Sequence, residues 1–466
     1  MRETLSNRES PRGMLRQLWV LGAPTILEQI LHTAVGYVDT AMVGTLGAGA
    51  SAAVGLTTTV NWLFNGIFFA VSLGLLSYIA RFVGAGEESR ARQYAAQGIW
   101  ILLTLGFVLT LAALLISPRL PFWLGAEAEI CPDASSYFFI VSIPMLLRGS
   151  IILYGNILRA FQDTRTPMRI NIAVNLLNIL LNQLLIGSGT TLRLGSIGIS
   201  LPGAGLGVQG AAIATAVSQG IGGIVTFLCA MRNPHATLAG QSLKPDAGLL
   251  RDVFQVSLPL VGERLVVGGG YVAFTSIIAG LGTVSTAAHT IALQVEEAFY
   301  IPGYGIQTPV STLSGNAAGR QDPSELRQVV KAGLTFAVTI MTVMAIFLLL
   351  FADGIMGIFT ADRQVIRLGA AVLRIVAVSE PVFAVFIILE GVFHGIGETR
   401  FPFLAGLFSM WGIRIGFSRA AVSLLHLGLR AVWVCMVLDN AARCLLLTLW
   451  YRKGTWKRRT MNVPKS

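Results

Sequence analysis

Asp163-Thr164-Arg165-Thr166-Pro167 returns 235 residues later as Glu398-Thr399-Arg400-Phe401-Pro402. The same offset pairs Pro24 with Pro259, Glu28 with Glu263, Gly47 with Gly282, Gly84 with Gly319 and Gly98 with Gly333. A register kept over so long a stretch marks an internal duplication, each copy being one half of the fold. Past the fifth hydrophobic run the offset falls to about 221, which pairs Ser218 and Gln219 with Asp439 and Asn440. The first copy therefore carries some 14 extra residues, in the Gly/Ser-rich stretch 187–202.

What is duplicated is apolar. Of the 466 residues 54% are hydrophobic and 12% charged, about half the usual charged share of a soluble domain. Runs long enough to cross a hydrocarbon core of about 30 Å recur from Leu18 onward. Twelve spans are expected, at 18–43, 52–80, 95–117, 135–158, 170–187, 208–231, 254–280, 288–315, 332–352, 370–393, 403–424 and 431–450. The expected fold is an all-α integral membrane protein of two six-helix repeats. An even number of helices per repeat inserts both copies in the same orientation, so a pseudo-two-fold along the membrane normal relates them.

Charge sets the orientation. With that topology 23 of the 34 Lys and Arg fall on the side of the termini, 5 on the other side and 6 inside helices. Basic loops stay in the cytoplasm, so both termini are expected there, in the inner membrane. The net charge of +11 then reflects loops facing anionic lipid, and no nucleic-acid partner is expected. Residues 1–17 read as a cytoplasmic segment with an uncleaved anchor after it, 18–231 as an N-lobe, 232–253 as a cytoplasmic linker, 254–450 as a C-lobe and 451–466 as a basic tail. Cys131, Cys229, Cys435 and Cys444 have no CxxC spacing, and neither a disulfide frame nor a metal site is expected of them.

An ionisable group inside a bilayer is costly unless paired or wet, so each one is a functional candidate. In the first span Glu28, His32 and Asp39 lie within about 40° of one another on a helix of 3.6 residues per turn. Asn171, Asn175, Asn178 and Asn182 repeat that spacing on the fifth, and the sixth adds Thr215, Ser218 and Gln219. These three helices are expected to enclose a polar cavity with Asp39 as its deep carboxylate. Such a carboxylate suits a proton, taken up in a closed state and released to water, or Na⁺ held beside Asn and Thr oxygens. The competing reading of the Asn row is helix glue.

The second copy has Val267 and Phe274 where the first has His32 and Asp39, and Gly406, Met410, Ile413 and Phe417 where it has the four asparagines. Coupling is therefore expected in the first half, with Glu28 and Glu263, common to both, as scaffold. The second half keeps its own polar set: Glu263, Arg264, Gln294, Glu296, Glu297, Glu390, Arg414, Asp439 and Arg443. Asp439 and Arg443 stand at i, i+4 and read as a neutralised pair tying the last helix to that of Arg414. Either Glu296 or Glu297 would attract a cationic compound, and aromatic and thioether groups such as Tyr37, Trp62 and Met410 suit an adaptable cleft for varied apolar compounds.

Tyr37-Val-Asp-Thr-Ala-Met-Val-Gly44, Gly210-Ala-Ala-Ile-Ala-Thr-Ala-Val-Ser-Gln219, Ala279-Gly-Leu-Gly-Thr283, the Asp163 motif and Trp411-Gly-Ile-Arg-Ile415 together resemble the multidrug and toxic compound extrusion transporters. The resemblance runs over nearly the whole chain and points to a DinF-like bacterial branch. It implies a two-lobed antiporter that expels cationic or amphipathic organic compounds in exchange for H⁺ or Na⁺. It implies cation coupling at Asp39 with Asn178, Asn182 and Thr215, Asn182 standing where relatives often carry a second acid. Glu28, Tyr37, Asn175, Glu263, Gln294, Glu296, Arg414 and Asp439 are the candidates for the substrate cavity. No cofactor is expected beyond the coupling ion, and the chain is expected to act as a monomer.

Other classes fit less well. There is no GxxxxGK[S/T] phosphate loop, HExxH pair or GxSxG elbow, which argues against an ATP-driven pump and against a membrane enzyme. A lipid-linked saccharide flippase of the same superfamily is the rival. It calls for a basic cleft, for which Arg148, Arg264 and Arg414 are the candidates.

Overall fold

The computed structural model describes residues 11–187, 189–194, 197–238 and 240–454. Arg2 and Arg8 of the N-terminal segment and residues 455–466 of the basic tail lie outside the described residues. The helices are α1 (Pro11–Gly44), α2 (Ala48–Ala85), α3 (Glu88–Ile116), α4 (Cys131–Ser142), α5 (Met145–Ala160), α6 (Arg165–Leu185), α7 (Gly207–Arg232), α8 (Ala247–Ala279) and α9 (Thr283–Gly319). They continue with α10 (Pro323–Phe359), α11 (Arg363–Ala377), α12 (Glu380–Ile396), α13 (Arg400–Leu407), α14 (Ser418–Ser423) and α15 (Leu429–Lys453). A π-helix, Phe408–Phe417, joins α13 to α14 as one span. Part of the loop insertion forms an antiparallel hairpin, β1 (Gly189–Leu194) with β2 (Ile197–Pro202), pairing Thr191 with Ser200.

Nine helices among the described residues are long and apolar enough to cross a membrane. Two bent pairs add two more spans: α4 with α5, at 52°, and α11 with α12, at 53°. The bends fall at the same point of the duplication, since α12 begins 235 residues after α5. Proline explains both: Pro144 caps α5, and Pro381 sits in the first turn of α12, where a missing N–H costs nothing. The remaining expected span lies in α9, 37 residues long but diluted by Gln294, Glu296, Glu297 and Gln307. It holds the expected span 288–315.

The described residues fall into two compact units: 11–26, 76–87 and 254–454 form one, and those within 27–75 and 88–253 form the other. In the first, Met14, Leu18 and Leu21 join a core with Ile306, Val310, Leu313, Ile387, Phe393 and Leu447. Close approach there requires glycine: a Cβ on Gly319 would overlap the backbone of Arg81. Without a hydrophobic drive between helices in lipid, such small-residue contact is how helices gain packing. In the second unit α7 packs on α5 and α6, and a Cβ on Gly223 would meet the Leu147 carbonyl.

The linker is strapped to the start of α3 within that second unit. Arg92 donates to the Pro234 carbonyl at 2.9 Å and the His235 carbonyl at 3.2 Å. Gln97 pairs with the strap in both directions, donating to Lys244 O at 3.1 Å and accepting from Asp246 N at 3.0 Å. Trp100 Nε1 donates to Leu243 O at 2.7 Å, and the Tyr94 hydroxyl to Asp252 at 2.9 Å. Asn233 donates to Asp163 of the repeated motif at 3.1 Å.

Each such bond contributes about 1 kcal/mol. Gln97→Ala, which removes two, is expected to raise amide hydrogen exchange across 241–246 by about tenfold or more, measured by mass spectrometry in detergent. A second expectation concerns Asp322, which caps α10 outside the spans by accepting from Ser324 N at 2.8 Å and Glu325 N at 3.1 Å. The Ser324 side chain and the Glu325 amide hold its carboxyl below the usual carboxylate range. A carboxyl depressed on folding stabilises above its unfolded value, about 3.9, and the benefit is lost as pH falls through the folded one. Asp322→Ala should cost about 1 kcal/mol at neutral pH and progressively less on acidification, read from melting curves.

Candidate functional site

Asp39, in the last turns of α1, is gripped from α6. Asn182 Nδ2 donates to Asp39 Oδ1 at 2.7 Å. With its amide turned so that both ends are satisfied, Asn178 donates to Oδ1 at 2.8 Å and to Oδ2 at 3.0 Å. The other end of that amide meets the Thr215 hydroxyl of α7, 3.3 Å away. Tyr137 of α4 bonds Thr215 in turn and lies within electrostatic reach of both Asp39 and Arg148. The i, i+4 spacing of Asn178 and Asn182 places both amides on one face, and both are buried.

The polar stripe of α1 divides in two. Glu28 belongs to a different group: both of its oxygens accept from Arg159, at 2.7 and 2.8 Å, and Asn171 donates to Oε1 at 2.6 Å. Asn175 is half-buried, Tyr37 is 48% exposed, and neither is among the partners of Asp39.

In the other unit the counterpart of the Glu28 group has different chemistry. Arg159 corresponds to His394, Gly155 to Glu390 and Asn171 to Gly406. Glu263 therefore faces a second carboxylate and an imidazole, the ligand atoms of Glu263, Glu390 and His394 all lying within 4.8 Å of one another. Gln307 Nε2 holds Glu390 at 2.6 Å. Two carboxylates and an imidazole at this spacing form a set able to hold a proton or a cation between them.

A further group adjoins this one, Arg443 lying within electrostatic reach of Glu263 and Glu390. Asp439 is fully buried and accepts from Arg414 Nε at 2.7 Å and Arg443 Nε at 3.0 Å, and Arg443 Nε also lies 2.8 Å from Ser409 Oγ. The π-helix carries Arg414 to this point. Glu296 is buried and accepts from the Tyr300 hydroxyl, while Gln294 is exposed on another face of α9. Glu380, at the bend of α12, is fully buried and neither carboxylate oxygen has a hydrogen-bond partner. Tyr137, Glu380 and His394 were absent from the candidate set. The available signals were an acid beside Pro381 in an apolar run and a histidine at the repeat position of Arg159.

Of the three arginines a flippase would need, Arg414 is neutralised by Asp439 and Arg264 is within electrostatic reach of Glu263 and Glu390. The interior of these spans is mixed in charge, and the flippase reading is not favoured.

A family model described as MatE matches the chain twice, over residues 24–184 and 259–418. A probable multidrug resistance protein NorM of Thermotoga maritima is 27% identical over 97% of this chain and 96% of its own length. One of the same description from Xanthomonas campestris is 25% identical over 94% of each. Among solved structures, a MATE protein in complex with MaL6 superposes with a TM-score of 0.88 at 23% identity, covering 99% of this chain and 100% of that one. A MOP superfamily transporter from Pyrococcus furiosus, whose binding pocket is described as having reverse polarity, gives 0.87 at 24%, with 99% of both covered. At these identities the structural matches establish the fold.

Removing one member of a buried charge group leaves the others uncompensated, at about 3–5 kcal/mol. Asp439→Asn, which strands two guanidinium groups, should therefore lower the melting temperature sharply and reduce the monodisperse fraction in size-exclusion chromatography. Asn175→Ala should change neither.

Proposed function

The chain belongs to the MatE family, and we propose that it is a secondary active exporter of the inner membrane, exchanging cationic or amphipathic organic compounds for H⁺ by alternating access. The proposal places both termini in the cytoplasm and takes the monomer as the working unit. The observation that carries it is the grip of Asn178 and Asn182 on Asp39. A bond to an ionised carboxylate contributes about 1.5–3 kcal/mol, a neutral one about 0.5–1.5. Protonating Asp39 would thus weaken the tie between α1 and α6 by about 2–3 kcal/mol over two bonds, a shift in population of about thirty- to 150-fold. A bound proton would loosen one conformation and a bound organic cation would compete for the same charge, which is the linkage an antiporter needs.

The donor set supports H⁺ over Na⁺ at this site. Na⁺ takes oxygen ligands, whereas Asn182 presents nitrogen to Asp39, as Asn178 does with its amide turned. With Asn182 in place of an acid, one carboxylate serves the first half. Glu263, Glu390 and His394 supply a second proton- or cation-binding group in the other unit, consistent with more than one ion per cycle.

Ethidium efflux from proteoliposomes under imposed gradients tests this. A pH gradient should drive efflux, a Na⁺ gradient alone should not, and Asp39→Asn should lower the driven rate at least tenfold. Gradient-independent movement, or a variant as active as the parent, would refute the mechanism.

A further inference from the structure

Arg148 lies in α5 and is 5% exposed. Among the described residues no carboxylate comes within 4.0 Å of it, and the Tyr137 phenol is the ionisable group that acts on it. Its two terminal nitrogens share one acceptor, Asn61 Oδ1, each at 3.5 Å, and its Nε has none. One helical turn from Asn61, the buried Oδ1 of Asn65 is also without a partner. The Phe64 and Phe138 rings stack at 6.4 Å, and Gly149, next to Arg148, lets the Phe68 ring lie against the α5 backbone.

A guanidinium out of water costs several kcal/mol unless an anion or several acceptors answer it. Two bonds at the limit of hydrogen-bonding distance to one amide oxygen do not. Glu28 is committed to Arg159 and Asn171, and Asp39 to two amides, so the unit offers Arg148 no carboxylate of its own. The fork of N–H donors matches a planar oxyanion.

We propose that Arg148, which turns from Asn61 to a stronger acceptor, is a binding site for the carboxylate or similar oxyanion of a transported compound. The exporter then takes zwitterions, whose cationic part competes for Asp39, and not only simple cations. This rests on the export function proposed above. The duplication supports it: Arg148, Asn61 and Asn65 correspond to Phe383, Glu296 and Tyr300, so the second half has no such site and its charge there is reversed.

Rhodamine B, a zwitterion, and its ethyl ester, a cation, differ only in the free carboxylate. In proteoliposomes under a pH gradient the parent should export both. The ratio of rhodamine B to ester efflux should fall about tenfold or more in Arg148→Gln and less in Arg148→Lys. In the parent alone, rhodamine B should raise the melting temperature more than the ester, a reading that holds even if the variants fold poorly. Export of the ester without rhodamine B, or a ratio unchanged by Arg148→Gln, overturns this inference and leaves the export function standing. Export of neither refutes the function itself. A preference for rhodamine B that vanishes when phosphatidylglycerol replaces phosphatidylcholine would assign Arg148 to a lipid phosphate and also overturn the inference.

Discussion

Inside a bilayer no water is available to answer a stranded polar group, and much of the interior follows from that constraint. Proline stands within α1 and α8 at matching positions, Pro24 and Pro259, because neighbouring helices shield the backbone it disturbs. The π-helix before α14 is tolerated for the same reason, and it sets Arg414 against Asp439. Where charge enters the spans it comes in groups: Glu28 with Arg159 and Asn171, Asp439 with two arginines, and Glu263 with Glu390 and His394. Arg148 and Glu380, each deeply buried and without an ion-pair partner among the described residues, depart from that pattern and so carry functional interest.

The duplication separates scaffold from site. Both copies keep the proline-marked bend and the carboxylate pair Glu28 and Glu263. What surrounds that carboxylate has diverged: a guanidinium and an amide neutralise it in one copy, an imidazole and another carboxylate surround it in the other. One ancestral position thus holds a static ion pair in one unit and a group able to take up cations in the other. The Asp39 grip has no counterpart, since Phe274, Ile413 and Phe417 occupy the equivalent places.

The expectation that the polar stripe of α1 acts as one surface treats helical spacing as contact. Spacing places Glu28 and Asp39 on one face, but eleven residues separate them by about 16 Å along the axis. Each therefore meets a different part of α6, Glu28 with Asn171 and Asp39 with Asn178 and Asn182. Asn175, on the same stripe between them, is left outside both groups. The amide row is consequently neither one cavity wall nor one seam of glue.

By itself the sequence determined the helical membrane fold, the duplication and its register, and Asp39 with its amide neighbours. Hydrophobic length, the 235-residue offset and the i, i+4 spacing of Asn178 and Asn182 are properties of the chain in one dimension. Tertiary structure decided which ionisable groups answer one another, because residues such as Glu263 and Glu390, or Tyr137 and Thr215, meet only when separate helices pack. It also decided that the linker is a fastened strap, through Gln97, Trp100 and Arg92 reaching backbone carbonyls that no residue pattern reveals. The physical reason is range: a helix fixes the direction of its own side chains, while neutralising a buried charge needs a partner from another helix.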